Sequence, residues 1–345
     1  MRMMCVRRLF PAMVAAACCV ASVDARAQAG NPRSKQQEPA PPPTPPLRKR
    51  LPPGTVDLSP NFTRGDSVEL EWRRSQVVPQ PKGKVQTETT LGTARVAVES
   101  MEASGFVLSW TWGELKHAAP GRVAIGEEEL IAAMLSGARI EFDLSRTGEM
   151  RGVRGWEKLS RDLAARLADA VDARRPALGE NAALEQAGRD ALEMIRTRES
   201  LETLVLDAPA TVLGCLPGAL STQGQTHADA LLPNPFGGEP FPASASFAVL
   251  DLTQTTARVA WGVSLKQEHV AGVMARTVRD LQVRAGRKKE VPKVHSIAAR
   301  SQGDALVMLG STWPIEGRLT YTLTHGGTRS TTTSAWKRRE GSVRP

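Results

Sequence analysis

Apolar and polar residues alternate with a period of two in several stretches of this chain. Val68, Leu70 and Trp72 alternate with Glu69 and Glu71, and Phe106, Leu108, Trp110 and Trp112 alternate with Val107, Ser109 and Thr111. Ile140, Phe142 and Leu144 alternate with Glu141, Asp143 and Ser145, ahead of a turn at Thr147-Gly148. A strand turns successive side chains to opposite faces, so these segments predict strands with one apolar and one polar face. Such a sheet is antiparallel and covered on one side only.

The period changes between residues 154 and 206. Trp156, Leu159, Leu163, Leu167, Ala170 and Val171 share one helical face, and Pro176 and Gly179 end the run. A second helix starts near Asn181 and carries Leu184, Ala187, Ala191, Leu192 and Ile195 inward, with Leu201, Leu204 and Leu206 extending it. The apolar stripe of this helical pair needs burial, and the apolar sheet face is its partner. Glu127, Glu128 and Glu129, just ahead of Leu130, suit the positive N-terminal end of a further short helix.

Strand patterns then return, at Phe247 and Val249, Val259 to Leu265, Val278 and Val283, Val307 and Leu309, and Leu319 to Leu323. Residues 224–244, rich in Pro and Gly, read as the longest loop. The fold class is α+β: antiparallel β-sheet units packed on a central helical pair. An internal repeat is suggested where Ile140-x-Phe142-x-Leu144, Gly148 and Trp156 lie beside Leu319-x-Tyr321-x-Leu323, Gly327 and Trp336. The layout is a single body over 57–340, with strands in 57–150, helices in 154–206, strands in 244–336, and a tail at 341–345.

What precedes the body is of a different kind. Arg2, Arg7 and Arg8, an apolar run from Leu9 to Val23, and Ala25-Arg26-Ala27 form a signal peptide over 1–27, cleaved after Ala27. The expected location is periplasmic or secreted. An alternative is lipidation at Cys18, since Ala15-Ala16-Ala17-Cys18 resembles a lipobox. The run is too short for a comfortable membrane span, so the processed protein is not integral to the membrane. Residues 28–56 hold nine of the 24 prolines and few large apolar side chains, the composition of a disordered, extended spacer. Cys5, Cys18 and Cys19 lie in the leader, which leaves Cys215 without an intramolecular disulfide partner after cleavage.

The net charge of +9 changes the picture little once it is located. Four arginines against Asp24 in the leader and five basic residues against Glu38 in the spacer account for most of it. The remainder, without aromatic interleaving, excludes a nucleic-acid role and leaves attraction to an anionic envelope polymer or to lipid as the electrostatic option. His117, His227, His269, His295 and His325 show no metal-ligand spacing, so no metal or cofactor is expected. His227 with Asp229, and Cys215 as a nucleophile served by them, are the candidate hydrolytic groups; solvated loop residues and a buried thiol are their plainer readings.

The aromatic face is the better lead. Phe106, Leu108, Trp110 and Trp112 share a face, and with Ile140, Phe142, Leu319, Tyr321 and Leu323 they make a wide apolar surface. It is either a core filled by the protein's own helices or the lining of a ligand cavity. In the order of leader, spacer, strands, helical pair and strands, with Ile140-x-Phe142-x-Leu144 leading to a Gly turn, the chain resembles β-rich proteins of the bacterial envelope. It is similar in outline to lipoprotein-carrier-type periplasmic half-barrels that bind lipid, from which it departs by its long helical segment and second strand set. The resemblance implies an envelope role with lipid binding as an option. The sequence thus points to a noncatalytic binding or structural protein of the envelope. The alternatives are a periplasmic carrier of lipid or another apolar ligand, and a hydrolase with an unrecognised site.

Overall fold

The structure is a computed structural model. It describes residues 52–79, 85–120, 126–178, 181–214, 216, 218–232, 239–284, 297–325 and 328–340. The leader with Cys18, most of the spacer, Cys215, His295 and the tail lie outside the described residues.

One antiparallel sheet dominates. In chain order its strands are β2 (Ser67–Pro79), β3 (Val85–Glu102), β4 (Gly105–Trp112), β5 (Lys116–Ala118), β6 (Arg139–Ser145) and β7 (Met150–Val153). After the helices come β9 (Gln225–Leu232), β10 (Phe241–Leu252), β11 (Thr256–Leu265), β12 (Ile297–Met308), β13 (Pro314–His325) and β14 (Thr328–Arg338). They lie in the order β7-β6-β4-β3-β2-β14-β13-β12-β11-β10-β9, and β5 pairs with β3 beyond the end of β4. Two short strands, β1 (Thr55–Asp57) and β8 (Ala219–Ser221), pair with each other. The two strand sets therefore form one sheet, joined where β14 pairs with β2.

Between β5 and β8 the chain forms α1 (Glu127–Leu135), α2 (Trp156–Asp172), α3 (Arg175–Leu178), α4 (Ala182–Arg196), α5 (Arg198–Val205) and α6 (Asp207–Leu213). The predicted helical pair over 154–206 is thus a chain of four segments, α2 to α5, and α6 follows it. The stretch expected to extend the second helix starts a new one, because Thr197 Oγ1 accepts the Ser200 backbone N–H at 3.2 Å and caps α5. Asn181 Oδ1 accepts from the Ala183 N–H at 2.9 Å and caps α4, as its position before the apolar stripe predicts.

Two further expectations change. Residues 224–244 hold β9 and the start of β10, paired in register from Phe241–Leu232 to Ala248–Gln225. The small and polar residues that read as a loop form an edge strand. Val278 and Val283 lie in α7 (Gln267–Arg284), where Val270, Val273, Met274 and Thr277 are buried at helical spacing. The suggested repeat stops at its last position, since Trp156 opens a helix and Trp336 lies within a strand. The predicted turn after β6 is present: Gly148 has φ of +86°, and Ser145 Oγ accepts from the Thr147 and Glu149 N–H groups at 3.2 and 2.9 Å.

A single apolar cluster fills the space between the sheet's inner face and the helices, from Val153 at one edge to Leu232 at the other. Every residue of α6 is buried, and this short helix packs against β13 and α5.

Candidate functional site

The inner face of the sheet changes character along the strands. Through β2 it runs Val68, Leu70, Trp72, Arg74, Gln76, apolar and then polar. The register extends this change across neighbouring strands. One row of directly opposed residues runs Ala305–Gly317–Trp336–Trp72–Gly92, a band of indoles and glycines. The next inward row reads Gly303–Leu319–Ser334–Arg74–Thr90–His117. The one after reads Ser301–Tyr321–Thr332–Gln76–Glu88. Ser301, Thr332, Ser334 and Glu88 of these rows are buried.

At the boundary between the two bands, α6 meets the sheet. Arg74 Nη1 donates to Asp207 Oδ2 at 2.7 Å, with the two side chains 18% and 6% exposed. Burial pushes the Asp207 carboxyl up to about 6 from 3.8; the Arg74 charge and hydrogen bond oppose the rise, and Glu128 on α1 adds to it. Around this pair lies a slot of about 60 Å³ whose apolar walls include Trp72, Trp112, Leu115, Ile131 and Leu204. A second, smaller cavity shares Arg74, Thr90 and Glu128 with it and is lined also by Gln76, Glu88 and His117. His117 Nδ1 and Thr90 Oγ1 are 3.0 Å apart.

Three polar atoms of these linings are buried and, among the described residues, lack a hydrogen-bond partner: Asp207 Oδ1, Trp112 Nε1 and His117 Nε2; Ser301 Oγ and Thr332 Oγ1 are also unpartnered but stand on β12 and β14, outside both linings. Native interiors pair nearly all such atoms, since each one left unserved costs about 1–3 kcal/mol. Trp110, Trp261 and Trp336 also have unpartnered indole N–H groups, but they do not line the slot. The collection around Arg74 is thus the place where apolar walls, an ion pair and unserved donors and acceptors converge, the arrangement expected of a binding site. Among the described residues no group of His, Cys, Asp and Glu is placed to hold a metal ion.

All nine residues of the predicted apolar surface belong to the one core cluster, in two groups. Phe106, Leu108, Trp110 and Trp112 of β4 pair or lie beside Ile140, Phe142 and Leu144 of β6, with Trp110 and Trp112 edge to face at 5.3 Å. Leu319, Tyr321 and Leu323 lie on β13, separated from β4 by β14, β2 and β3. Of the nine, Trp112 lines the slot and Tyr321 stands in the outer polar row, where burial pushes its phenol above its ordinary value. The sequence reading missed Arg74, Asp207, Ser301 and Thr332. The alternation in β2 carried the signal, because a strand ending Trp72-x-Arg74-x-Gln76 keeps turning polar groups inward. Of the candidate hydrolytic groups, His227 and Asp229 are exposed on the edge strand β9, and Asp229 pairs with Lys266 at 2.6 Å.

A larger space, about 620 Å³, lies on the opposite face of β14, β2 and β3, lined by Arg73, Leu91, Lys116 and Lys337 among others. It is an open saddle with exposed charges, whereas the inner slot gathers an ion pair and several unserved buried atoms and is the stronger candidate.

No protein-family model matches the chain, and no curated protein matches it. Among solved structures, similarity extends to lipovitellin, from a study of its lipid–protein interactions, at 8% identity and a TM-score of 0.40. That match covers 83% of this chain and 26% of the other, so the chain spans about a quarter of its length. A putative lipoprotein from Parabacteroides distasonis is 7% identical with a TM-score of 0.23, covering 82% of this chain and 98% of that one. DynF of the dynemicin pathway of Micromonospora chersina is 10% identical with a TM-score of 0.19, covering 87% and 89%. At these scores the likenesses carry no ligand or site residue across to this chain.

Proposed function

We propose that the protein is a noncatalytic binder of an amphiphile, working in the bacterial envelope after export. The observation that carries the binding reading is the set of unserved polar atoms at the end of an apolar slot, around Arg74 and Asp207. An amphiphile has the matching form: its chain lies against Trp72, Trp112 and Leu204, and its head meets the Arg74–Asp207 pair. A lipid chain needs several times the 60 Å³ of the slot, so entry entails outward movement of α1, whose Ile131, Ala132 and Leu135 form one wall, with the Arg74–Asp207 pair left in place. The export reading rests on the leader and its Ala25-Arg26-Ala27 cleavage site. Among the described residues no helix is long and apolar enough to cross a membrane.

Native mass spectrometry of the purified protein tests the binding reading. Retained amphiphile, or a rise in melting temperature with added lysophospholipid or alkyl glycoside, supports it. An empty protein that none of these stabilises overturns it. The intact mass of the exported protein tests the leader: an N-terminus at Gln28 marks signal cleavage, and an acylated N-terminus at Cys18 marks lipid anchoring.

A further inference from the structure

We infer that the headgroup recognised beside the Arg74–Asp207 pair is nonionic and rich in hydroxyls, of the glyceryl or sugar type. This deepens the amphiphile reading and rests on it.

The argument is one of matching donors and acceptors. Asp207 Oδ1 is a buried acceptor in need of a donor, and Trp112 Nε1 is a buried donor in need of an acceptor. His117 Nε2, in the adjoining cavity, is a buried ring nitrogen whose donor or acceptor role follows its tautomer. A carboxylate, sulfate or phosphate head brings acceptors only. It leaves Asp207 Oδ1 unserved and places like charge beside Asp207 and Glu128. An ammonium head brings donors only, and leaves the Trp112 N–H unserved. Hydroxyl groups do both, and several on one head reach several of these partners at once.

Charge leads to the same class. Arg74, the cation that would otherwise hold an anionic head, is already bonded to Asp207 at 2.7 Å. The pair is close to neutral as a unit, and displacing Asp207 leaves its buried charge without its partner.

The test uses four ligands with one chain length: octyl glucoside, octylammonium, octanoate and octanol, each titrated calorimetrically below its micelle concentration into the full-length mature protein. Octyl glucoside is expected to bind tighter than either ionic ligand by about tenfold or more, which is about 1.4 kcal/mol. The variant Trp112→Phe, which removes the indole N–H and keeps an aromatic wall, is expected to lose most of that preference while keeping its affinity for octanol, which shows the apolar walls intact. Equal or tighter binding of octanoate or octylammonium, or an unchanged preference in the variant, overturns the headgroup inference and leaves the amphiphile reading standing. Failure of all four to bind overturns both.

Discussion

Trp72 of β2 stands directly opposite Trp336 of β14 in antiparallel register, at the seam that joins the strands preceding the helices to those following them. The Trp336 ring lies over Gly317 of β13, and Trp261 lies over Gly303 of β12 in the same way, each at the directly opposed position. A Cβ at either glycine falls inside contact distance of the indole, so the flat ring needs a neighbour without a side chain.

Gly317→Ala and Gly303→Ala are therefore expected to destabilise the protein by about 1–3 kcal/mol each, as overpacking of a core does. Urea unfolding measures the loss, and near-ultraviolet circular dichroism reads the displaced indole. Gly272→Ala, on α7 with only the Arg276 side chain nearby, is the contrasting case and should stabilise by up to about 1 kcal/mol.

The Arg74–Asp207 pair makes stability depend on pH with a definite sign. The folded chain holds the Asp207 proton up to about pH 6, whereas the unfolded chain releases it near 3.8. Between those values the folded state binds more protons, so stability falls as pH rises, by on the order of 3 kcal/mol from this group. Asp207→Asn is expected to remove that component. The unfolding free energies of the two proteins, compared at pH 4 and pH 7, should shift in favour of the variant at the higher pH; parallel profiles count against the assignment.

Removing the other partner has the complementary effect. Arg74→Met strands the Asp207 carboxylate beneath the sheet, at a cost of about 3–5 kcal/mol above pH 6. At pH 4, where the carboxyl is neutral, most of that cost should vanish. Thermal unfolding at the two pH values distinguishes this from a simple loss of packing, which is indifferent to pH.

Phe142 is fully buried on β6 opposite Leu108 and Val153. Phe142→Ala should cost about 3–5 kcal/mol through lost transfer energy and the cavity left behind. Denaturant titration with an unchanged slope is the measurement.

Asn181→Ala removes the cap of α4 and is expected to cost about 1 kcal/mol, with affinity for octyl glucoside unchanged because the cap is remote from the slot. A large change in that affinity would show that α4 takes part in binding.

Much of the architecture is written locally. Period-two runs such as Ile140 to Ser145 and the helical stripe from Leu159 to Val171 depend only on which side chains seek burial, and both elements form as the pattern predicts. Elements whose side chains are small or mixed were not readable in this way. Gln225 to Leu232 carries no strong alternation and becomes a strand because β10 supplies its hydrogen bonds. Val278 and Val283 favour strands by residue type, yet the burial of Val270, Val273 and Met274 holds them in a helix.

The candidate site shows the same division more sharply. Sequence by itself determined the apolar face through Trp110 and Trp112 and the helical segment that covers the sheet, because alternation and helical spacing are local properties. Only tertiary structure decided that β14 joins β2, that Ser301, Tyr321, Thr332, Gln76 and Glu88 fall in one row, and that Asp207 on α6 meets Arg74. Those relationships depend on strand register and helix docking between residues far apart in the chain, and free energy assigns them only when the whole core packs at once.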